Sequence, residues 1–261
     1  MSTALITGAS SGIGKAFAQE LAARKTNLVL VARSEDKLNQ LAQELQDKYK
    51  IQVDVIVKDL TEPNAAAVVF DITKTKGLTI DLLINNAGFG DYGDFAERNG
   101  ERQVKMVQLN ILALVDLTHH FLPLMQQRRS GSIINVSSIA AFQPIPYLSV
   151  YAASKAFVLS FSEALWAENR NYGVRVLAVC PGPTETSFFT EANFPQSFTG
   201  KTSKISTSEE VVDDALRALA RGDSTVISGN FLSKLITNLP RLLPRSTLVR
   251  ILESQFKASK S

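Results

Sequence analysis

Tyr151 and Lys155 stand four residues apart in YAASKAFVLSFSEAL, a stretch with the apolar spacing of an amphipathic helix. Residues i and i+4 lie about 40° apart around a helix, so this phenol and ammonium share a face and can address one ligand. A free phenol, with a pKa near ~10, exchanges protons poorly at neutral pH, and a neighbouring cation lowers that value. The pair therefore suits a tyrosine used as a general acid or base. Alone, such spacing is common on helices that do no chemistry. Its company is GSIINVSSIAAF, an apolar run ending in Ser137 and Ser138, the latter 13 residues before Tyr151. A hydroxyl there can hold a substrate oxygen beside the phenol.

A second constellation opens the chain. In ALITGASSGIGKAFAQEL an apolar run, a glycine-rich turn and an amphipathic helical pattern follow one another directly. Gly8, Gly12 and Gly14 are spaced G-x3-G-x-G. Missing side chains let backbone N–H groups and a helix N-terminus approach a pyrophosphate, whose charge the helix dipole favours. The next apolar run, NLVLVA, ends in Ala32 and Arg33. An Asp or Glu at that place binds a ribose 2′-hydroxyl and repels a 2′-phosphate, whereas a guanidinium pairs with the phosphate. The expected cofactor is NADP(H).

These groups need a frame that brings them to one edge. Seven short runs (4–7, 27–32, 51–57, 82–85, 131–137, 174–180 and 224–228) alternate with helical patterns near 13–25, 34–50, 63–76, 101–128, 150–171 and 208–221. Apolar runs flanked by helices are strands buried on both faces. The expectation is an α/β fold in three layers, a Rossmann-type, doubly wound, parallel, seven-stranded sheet, forming a single domain over 1–261. Right-handed crossovers put all strand carboxyl ends on one edge, where ligands bind. With 28 basic and 25 acidic residues the net charge is only +3, too weak for a nucleic-acid footprint. The single cysteine, Cys180, excludes an internal disulfide and reads as a buried small hydrophobe. His119, His120 and Trp166 read as packing or solvated residues, and no metal site is expected. No apolar run approaches the ~20 residues that span a bilayer, and the start leaves no room for a leader, so a cytoplasmic protein is expected.

Taken together, the motifs resemble the shorter branch of the short-chain dehydrogenase/reductase family, over nearly the whole chain from Ala4 to about Gly229. TGASSGIG (7–14) matches the family's cofactor turn, and KDLTEP supplies Asp59 and Leu60. NNAG (85–88) matches the segment lining the adenosine site, QLNILA supplies Asn110, and PGPTET (181–186) matches P-G-x-x-x-T. The resemblance implies a cofactor site of Gly8, Ser10, Ser11, Gly12, Ile13 and Gly14 with Arg33, Asp59 and Leu60. Asn86, Ala87 and Gly88 join it, as do Tyr151, Lys155, Pro181, Gly182, Thr184 and Thr186. It implies catalysis by Asn110, Ser138, Tyr151 and Lys155. Tyr151 would move the proton and Ser138 orient the oxygen. Lys155 would depress the phenol pKa and hold the nicotinamide ribose, and Asn110 would link Lys155 to bulk water. The loosely nearest members are reductases of ketoacyl and steroid type.

Two stretches stand outside the alternation. The segment 183–207 carries Phe188, Phe189, Phe194 and Phe198 where the family closes over its substrate, and suggests a lid with an apolar wall. The tail, about 230–257, has leucines at helical spacing, with Pro240 and Pro244 breaking it and Lys234, Arg241, Arg245 and Arg250 between. It could deepen the pocket, touch a membrane surface or pack on a second copy. A homodimer or homotetramer is the expected use, since so long an apolar ridge left exposed invites aggregation. The expected activity is reduction of a small apolar carbonyl, or oxidation of the alcohol. A non-catalytic NADP(H) sensor is the alternative from another class. A sensor has no need of Asn110, Ser138, Tyr151 and Lys155 together. A sugar epimerase or dehydratase of the longer branch would need different glycine spacing and a larger substrate domain.

Overall fold

Seven apolar runs pair side by side in the computed structural model, which describes residues 1–195, 205–229, 237 and 244–257. They are β1 (Thr3–Thr7), β2 (Asn27–Ala32), β3 (Val53–Val57), β4 (Leu82–Asn85), β5 (Gly131–Val136), β6 (Val174–Pro181) and β7 (Thr225–Ser228). All pairs are parallel, in the order β3-β2-β1-β4-β5-β6-β7. The register explains why the runs are continuously apolar. Val29, Leu5, Leu83, Ile133 and Val176 form one cross-strand row, and Leu30, Ile6, Ile84, Ile134 and Leu177 form the next. Successive side chains point to opposite faces, and both rows are buried.

Each row meets its own helical layer. Beneath the Ile6 row lie α1 (Gly12–Ala23) and α2 (Glu35–Tyr49), contributing Phe17, Leu21, Leu38 and Leu41, and the later helix α8 (Ser208–Arg221) with Val211 and Ala215. The Leu5 row packs on α3 (Ala65–Thr75), α5 (Leu114–Gln127) and α6 (Ser149–Asn169) through Val69, Leu117, Phe121 and Leu165. The helix α8 starts at a capping box. Thr207 Oγ1 accepts from the Glu210 amide at 3.2 Å, and Glu210 accepts from the Thr207 amide at 3.1 Å. The three-layer doubly wound architecture expected from the sequence is the one observed.

One expected helix divides. The pattern over 101–128 is α4 (Gly100–Val107), a π-helical turn (Gln108–Ala113) and then α5. Asn110, inside that turn, accepts from the Phe89 amide at 3.1 Å and donates to the Phe89 carbonyl at 3.0 Å. The two bonds tie the wide turn to the loop after β4. A π-turn of this kind leaves no trace in hydrophobic spacing. Two short helices complete the described chain, α7 (Phe188–Glu191) and α9 (Arg245–Phe256). Lys234, Pro240, Arg241 and Phe198 lie outside the described residues.

The sheet order reverses direction between β1 and β4, and a crevice opens there at the carboxyl edge. Asn86, just past β4, spans it. Its side-chain amide donates to the carbonyls of Thr7 (2.9 Å) and Gly8 (3.3 Å), while Thr7 Oγ1 accepts from the amides of Asn86 and Ala87, both at 3.0 Å. Gly14 packs so closely here that a Cβ on it would fall 2.5 Å from Asn86 Nδ2 and run into the Gly8 carbonyl. An alanine in a helix ordinarily gains up to ~1 kcal/mol over glycine, but overpacking here costs ~1–3 kcal/mol or more. Gly14→Ala should therefore lower the melting temperature by several degrees in thermal unfolding, where an unconstrained helical glycine would show a rise.

Candidate active site

At the carboxyl edge a cavity of about 630 Å³ runs along the sheet. Its lining includes Gly8, Ser10, Ser11, Gly12 and Ile13 from the glycine turn, and Arg33, Asp59 and Leu60 from the ends of β2 and β3. Asn86, Ala87 and Gly88 join from β4, and Pro181, Gly182, Thr184 and Thr186 follow β6. Ser138, Tyr151 and Lys155 line the same space. Of the residues expected from the sequence, only Gly14 and Asn110 stand behind the wall, supporting it.

The turn fits a pyrophosphate. Gly8 and Gly12 hold φ of +65° and +51°, which a side chain disfavours, and a Cβ at Gly12 would press to 3.1 Å from Thr186. The helix α1 starts at Ser11 without a side-chain cap, so its first amides face the cavity's glycine end uncapped. Arg33 is 77% exposed at the side chain and lies 3.8 Å from Asp59. Burial acts to raise the Asp59 carboxyl, but hydrogen bonds from Thr61 and the charge of Arg33 outweigh it and hold it below its ordinary value.

The residues expected to do the chemistry gather at the junction of β5 and α6. Ser138 leads off the strand and accepts from the Ala140 amide at 3.1 Å. Its hydroxyl lies beside the Tyr151 phenol, in the same cavity wall. Tyr151 is 9% exposed and Lys155 is 5% exposed. Lys155 Nζ donates to the Val136 carbonyl at 2.9 Å and stands 5.8 Å from the centre of the Tyr151 ring. The expected lowering of the phenol by Lys155 is absent from this arrangement. Burial pushes Tyr151 up to about 12, with the Ser138 hydrogen bond opposing, and pushes Lys155 down to about 8. Desolvation of each group outweighs the attraction between them, because the ammonium spends its nearest bond on a carbonyl rather than on the phenol.

Asn110 stands one layer behind this group. It is buried, and besides its two bonds to Phe89 it donates to Ser154 Oγ at 3.0 Å. Only Gly88 separates it from Lys155: a Cβ there would lie 2.9 Å from Asn110 Oδ1 and 3.4 Å from Lys155 Nζ. Ser137, passed over in the sequence for its neighbour, donates to the Lys155 carbonyl at 2.8 Å and pins α6 to the end of β5. Its position at a strand end was the only available signal.

The apolar wall is aromatic. Phe188, Phe189 and Phe194 line the cavity, and the Phe188 ring centre lies 5.1 Å from that of Tyr151. The described part of the tail takes up one of the uses weighed for it, the deepening of the pocket. In α9, Leu248 and Leu252 are buried on this chain's own cavity, with Ile251, Gln255 and Phe256 beside them. The part of the tail described here lengthens the pocket. Sequence reasoning also missed Asp91, whose side chain is wholly buried. Arg98 (2.6 Å), Arg102 (3.2 Å), Gln103 (2.6 Å) and Asn193 (3.0 Å) all donate to it. Burial acts to raise this carboxyl, but the hydrogen bonds from Arg98 and Asn193 and the two guanidinium charges hold it below the carboxylate range. Cys180 is buried, His120 stacks on Phe70 at 5.0 Å, and Trp166 donates to the Gly222 carbonyl at 2.9 Å. Among the described residues, no acidic, His or Cys cluster could hold a metal, and no helix is long and apolar enough to cross a membrane.

Known proteins share this arrangement. The chain is 34% identical to a 7beta-hydroxysteroid dehydrogenase of Collinsella aerofaciens over 86% of its length and 85% of that protein. It is 39% identical to a very-long-chain 3-oxoacyl-CoA reductase of Macaca fascicularis over 68% of its length, spanning 58% of that protein. A short-chain dehydrogenase from Sphingobium yanoikuyae, solved in complex with NADPH, superposes with a TM-score of 0.84 at 33% identity, covering 100% of this chain and 99% of the other. The family profile described as short chain dehydrogenase matches residues 2–196. With the motifs, the sheet order and these relatives in agreement, the chain is an oxidoreductase of the short-chain dehydrogenase family.

Proposed function

We propose that this protein is an NADP(H)-dependent reductase that interconverts a carbonyl and an alcohol on an apolar ketone, aldehyde or 3-oxoacyl substrate. The observation that carries this reading is the Tyr151–Ser138 hydroxyl pair, set in one cavity lined by both the glycine turn and an aromatic wall. Gly8, Ser10, Ser11, Gly12 and Ile13 would hold the pyrophosphate, with Gly14 letting the turn close. Arg33 would pair with the 2′-phosphate. Asp59, Leu60, Asn86, Ala87 and Gly88 would line the adenosine, and Lys155, Pro181, Gly182, Thr184 and Thr186 the nicotinamide half. A bound nicotinamide would supply or accept the hydride at the carbon bearing oxygen.

The chain's own residues handle the proton. Ser138 orients the substrate oxygen at the phenol. Tyr151, pushed up by burial, keeps its proton until negative charge builds on that oxygen and then donates it. Lys155 would hold the nicotinamide ribose, with its ammonium anchored on the Val136 carbonyl. Asn110 holds the loop after β4 against this group, and the aromatic wall keeps water out. The NADP(H) preference is supported by Arg33 at the end of β2, with Ala32 in place of a carboxylate, and by the NADPH complex of a 33%-identical relative. The segment 183–195 and α9 act as lid and roof of the substrate end.

Following NADPH oxidation against a panel of carbonyls tests the activity and its substrate class. Each CH₂ buried gains ~0.8 kcal/mol, so kcat/KM should climb roughly fourfold per added carbon until the wall is filled. A preference for acetone-sized or sugar carbonyls would sink the apolar assignment.

Cofactor choice rests on one guanidinium. A charged hydrogen bond is worth ~1.5–3 kcal/mol, so Arg33→Ala should weaken NADPH binding by on the order of tenfold to a hundredfold in calorimetry. NADH affinity should stay nearly unchanged, and equal loss of both would refute the pairing.

Chemistry and fold can be separated at the buried pair. Tyr151→Phe should cut turnover at least ~100-fold with NADPH affinity retained. Lys155→Met should also abolish turnover, yet raise the melting temperature of the nucleotide-free protein at pH 7. The reason is the sign of the shift. The folded value of about 8 lies below the ordinary 10.5, so the protonated lysine opposes folding at neutral pH, on the order of 3 kcal/mol. That penalty fades as pH rises from 8 to 10.5, and the gap between variant and wild type should close over the same window. A variant that is inactive because it melts early would mean the lysine is kept for folding.

A further inference from the structure

Three consecutive residues in the loop after β4 reach three different walls of the substrate pocket, and none of them lines the cavity itself. Asp91 accepts from Asn193, at the end of α7, at 3.0 Å. It also holds Arg102, whose guanidinium donates to the Glu191 carbonyl at 2.7 Å. Tyr92 donates its hydroxyl to the Phe256 carbonyl in the last turn of α9, and its amide donates to the Ala192 carbonyl at 2.8 Å. Its ring lies 5.0 Å from Phe194 and 6.1 Å from Tyr147. The Gly93 amide donates to the Tyr147 carbonyl at 2.9 Å, on the connection that runs from Ser138 to Tyr151. Gly93 has φ of +145°, and a Cβ on it would strike the Arg98 side chain that braces Asp91.

We infer that Asp91–Tyr92–Gly93 is a clasp, a set of positioning residues that seats the lid and the tail helix over the distal part of the substrate and so selects for size. The clasp rests on the reductase reading only for the word substrate; the fastening itself is a property of the fold. Lid and tail meet the cavity through apolar side chains, and apolar contact alone is non-directional. They are caught, by contrast, by directional bonds at the Asn193 side chain and at the backbone carbonyls of Glu191, Ala192 and Phe256. All four bonds lead back to two neighbouring residues and to Arg102, which the same carboxylate holds. A small carbonyl engages Ser138 and Tyr151 and ends before the roof. A long or polycyclic one must lie against Phe188, Phe194, Leu252 and Phe256, so it alone should sense whether these elements are seated.

Two mild substitutions separate positioning from folding, since Asp91 itself is buried under two guanidinium groups and its removal endangers the fold. Tyr92→Phe keeps the ring and deletes the bond to α9. Asn193→Gly deletes the lid's bond to Asp91 and suits the φ of +58° at that position. Losing one such bond corresponds to about fivefold in the local opening equilibrium. In Tyr92→Phe, hydrogen exchange of amides in 245–256 should quicken about fivefold, and in Asn193→Gly that of 188–195, with the sheet amides unchanged. KM for a bulky apolar ketone should rise about fivefold in each, with kcat and the kinetics of a small ketone within twofold of wild type. Unchanged exchange in these segments overturns the clasp. So does a uniform loss on small and bulky substrates that tracks a lower melting temperature. If the wild-type protein reduces no carbonyl at all, the reductase reading falls and the exchange arm alone decides the clasp.

Discussion

The junction of β1 and β4, where the sheet order reverses, is the constraint on which the site depends. Parallel strands that end side by side leave backbone donors and acceptors at their ends, and buried ones must find partners. Here the Thr7 hydroxyl and the Asn86 amide supply them, stitching the ends of two strands and the first glycine together. The stitch fixes how close α1 comes to the sheet, which is why Gly14 has no room for a side chain. It also sets where Gly88 falls, between Asn110 and Lys155. The glycine-turn end and the Tyr151 end of the cavity are therefore two consequences of one junction.

A second constraint is electrostatic. Lys155 is held in a place where burial disfavours its charge, with a single carbonyl as hydrogen-bond partner. Ser137 fixes its backbone, Ser154 caps the Tyr151 carbonyl at 2.7 Å, and Asn110 bonds Ser154 in turn. These polar side chains are spent on groups around Tyr151 and Lys155, which makes the geometry of that pair stiff. Preorganisation of that kind is costly for the fold and useful for chemistry, because dipoles already in place need no rearrangement as charge develops. Deeper in the sheet the Asn85–Asn135–Ser162 chain, at 2.9 Å per step, ties β4 and β5 to α6 and continues the same logic.

The fold and the motif residues were legible in the sequence for physical reasons. Doubly buried strands need unbroken apolar runs, and a phosphate turn needs glycines. An i, i+4 pair on a helix needs no tertiary knowledge to be seen. What escaped was long-range. Asp91 looks like any loop aspartate until Asn193 arrives from 102 residues away. The π-turn at Asn110 is created by the Phe89 backbone, and the tail's leucines show the same spacing whether they face a pocket or a second copy. The balance between Lys155 and Tyr151 was misjudged because charge attraction can be read from spacing, whereas desolvation depends on everything packed around the pair.

The two ends of the cavity are thus held by different forces. Ser138 at a strand end, Asn110 in its π-turn and Lys155 on α6 are fixed by directional bonds to backbone. The aromatic wall is assembled from segments outside the βα alternation, through ring contacts such as Phe188–Phe189 at 5.8 Å and Phe189–Phe194 at 5.2 Å. Ring packing accepts changes of size and angle at modest cost, whereas a buried hydrogen bond does not. The wall can therefore be rebuilt without disturbing the sheet edge, in keeping with sites being varied on a constant fold.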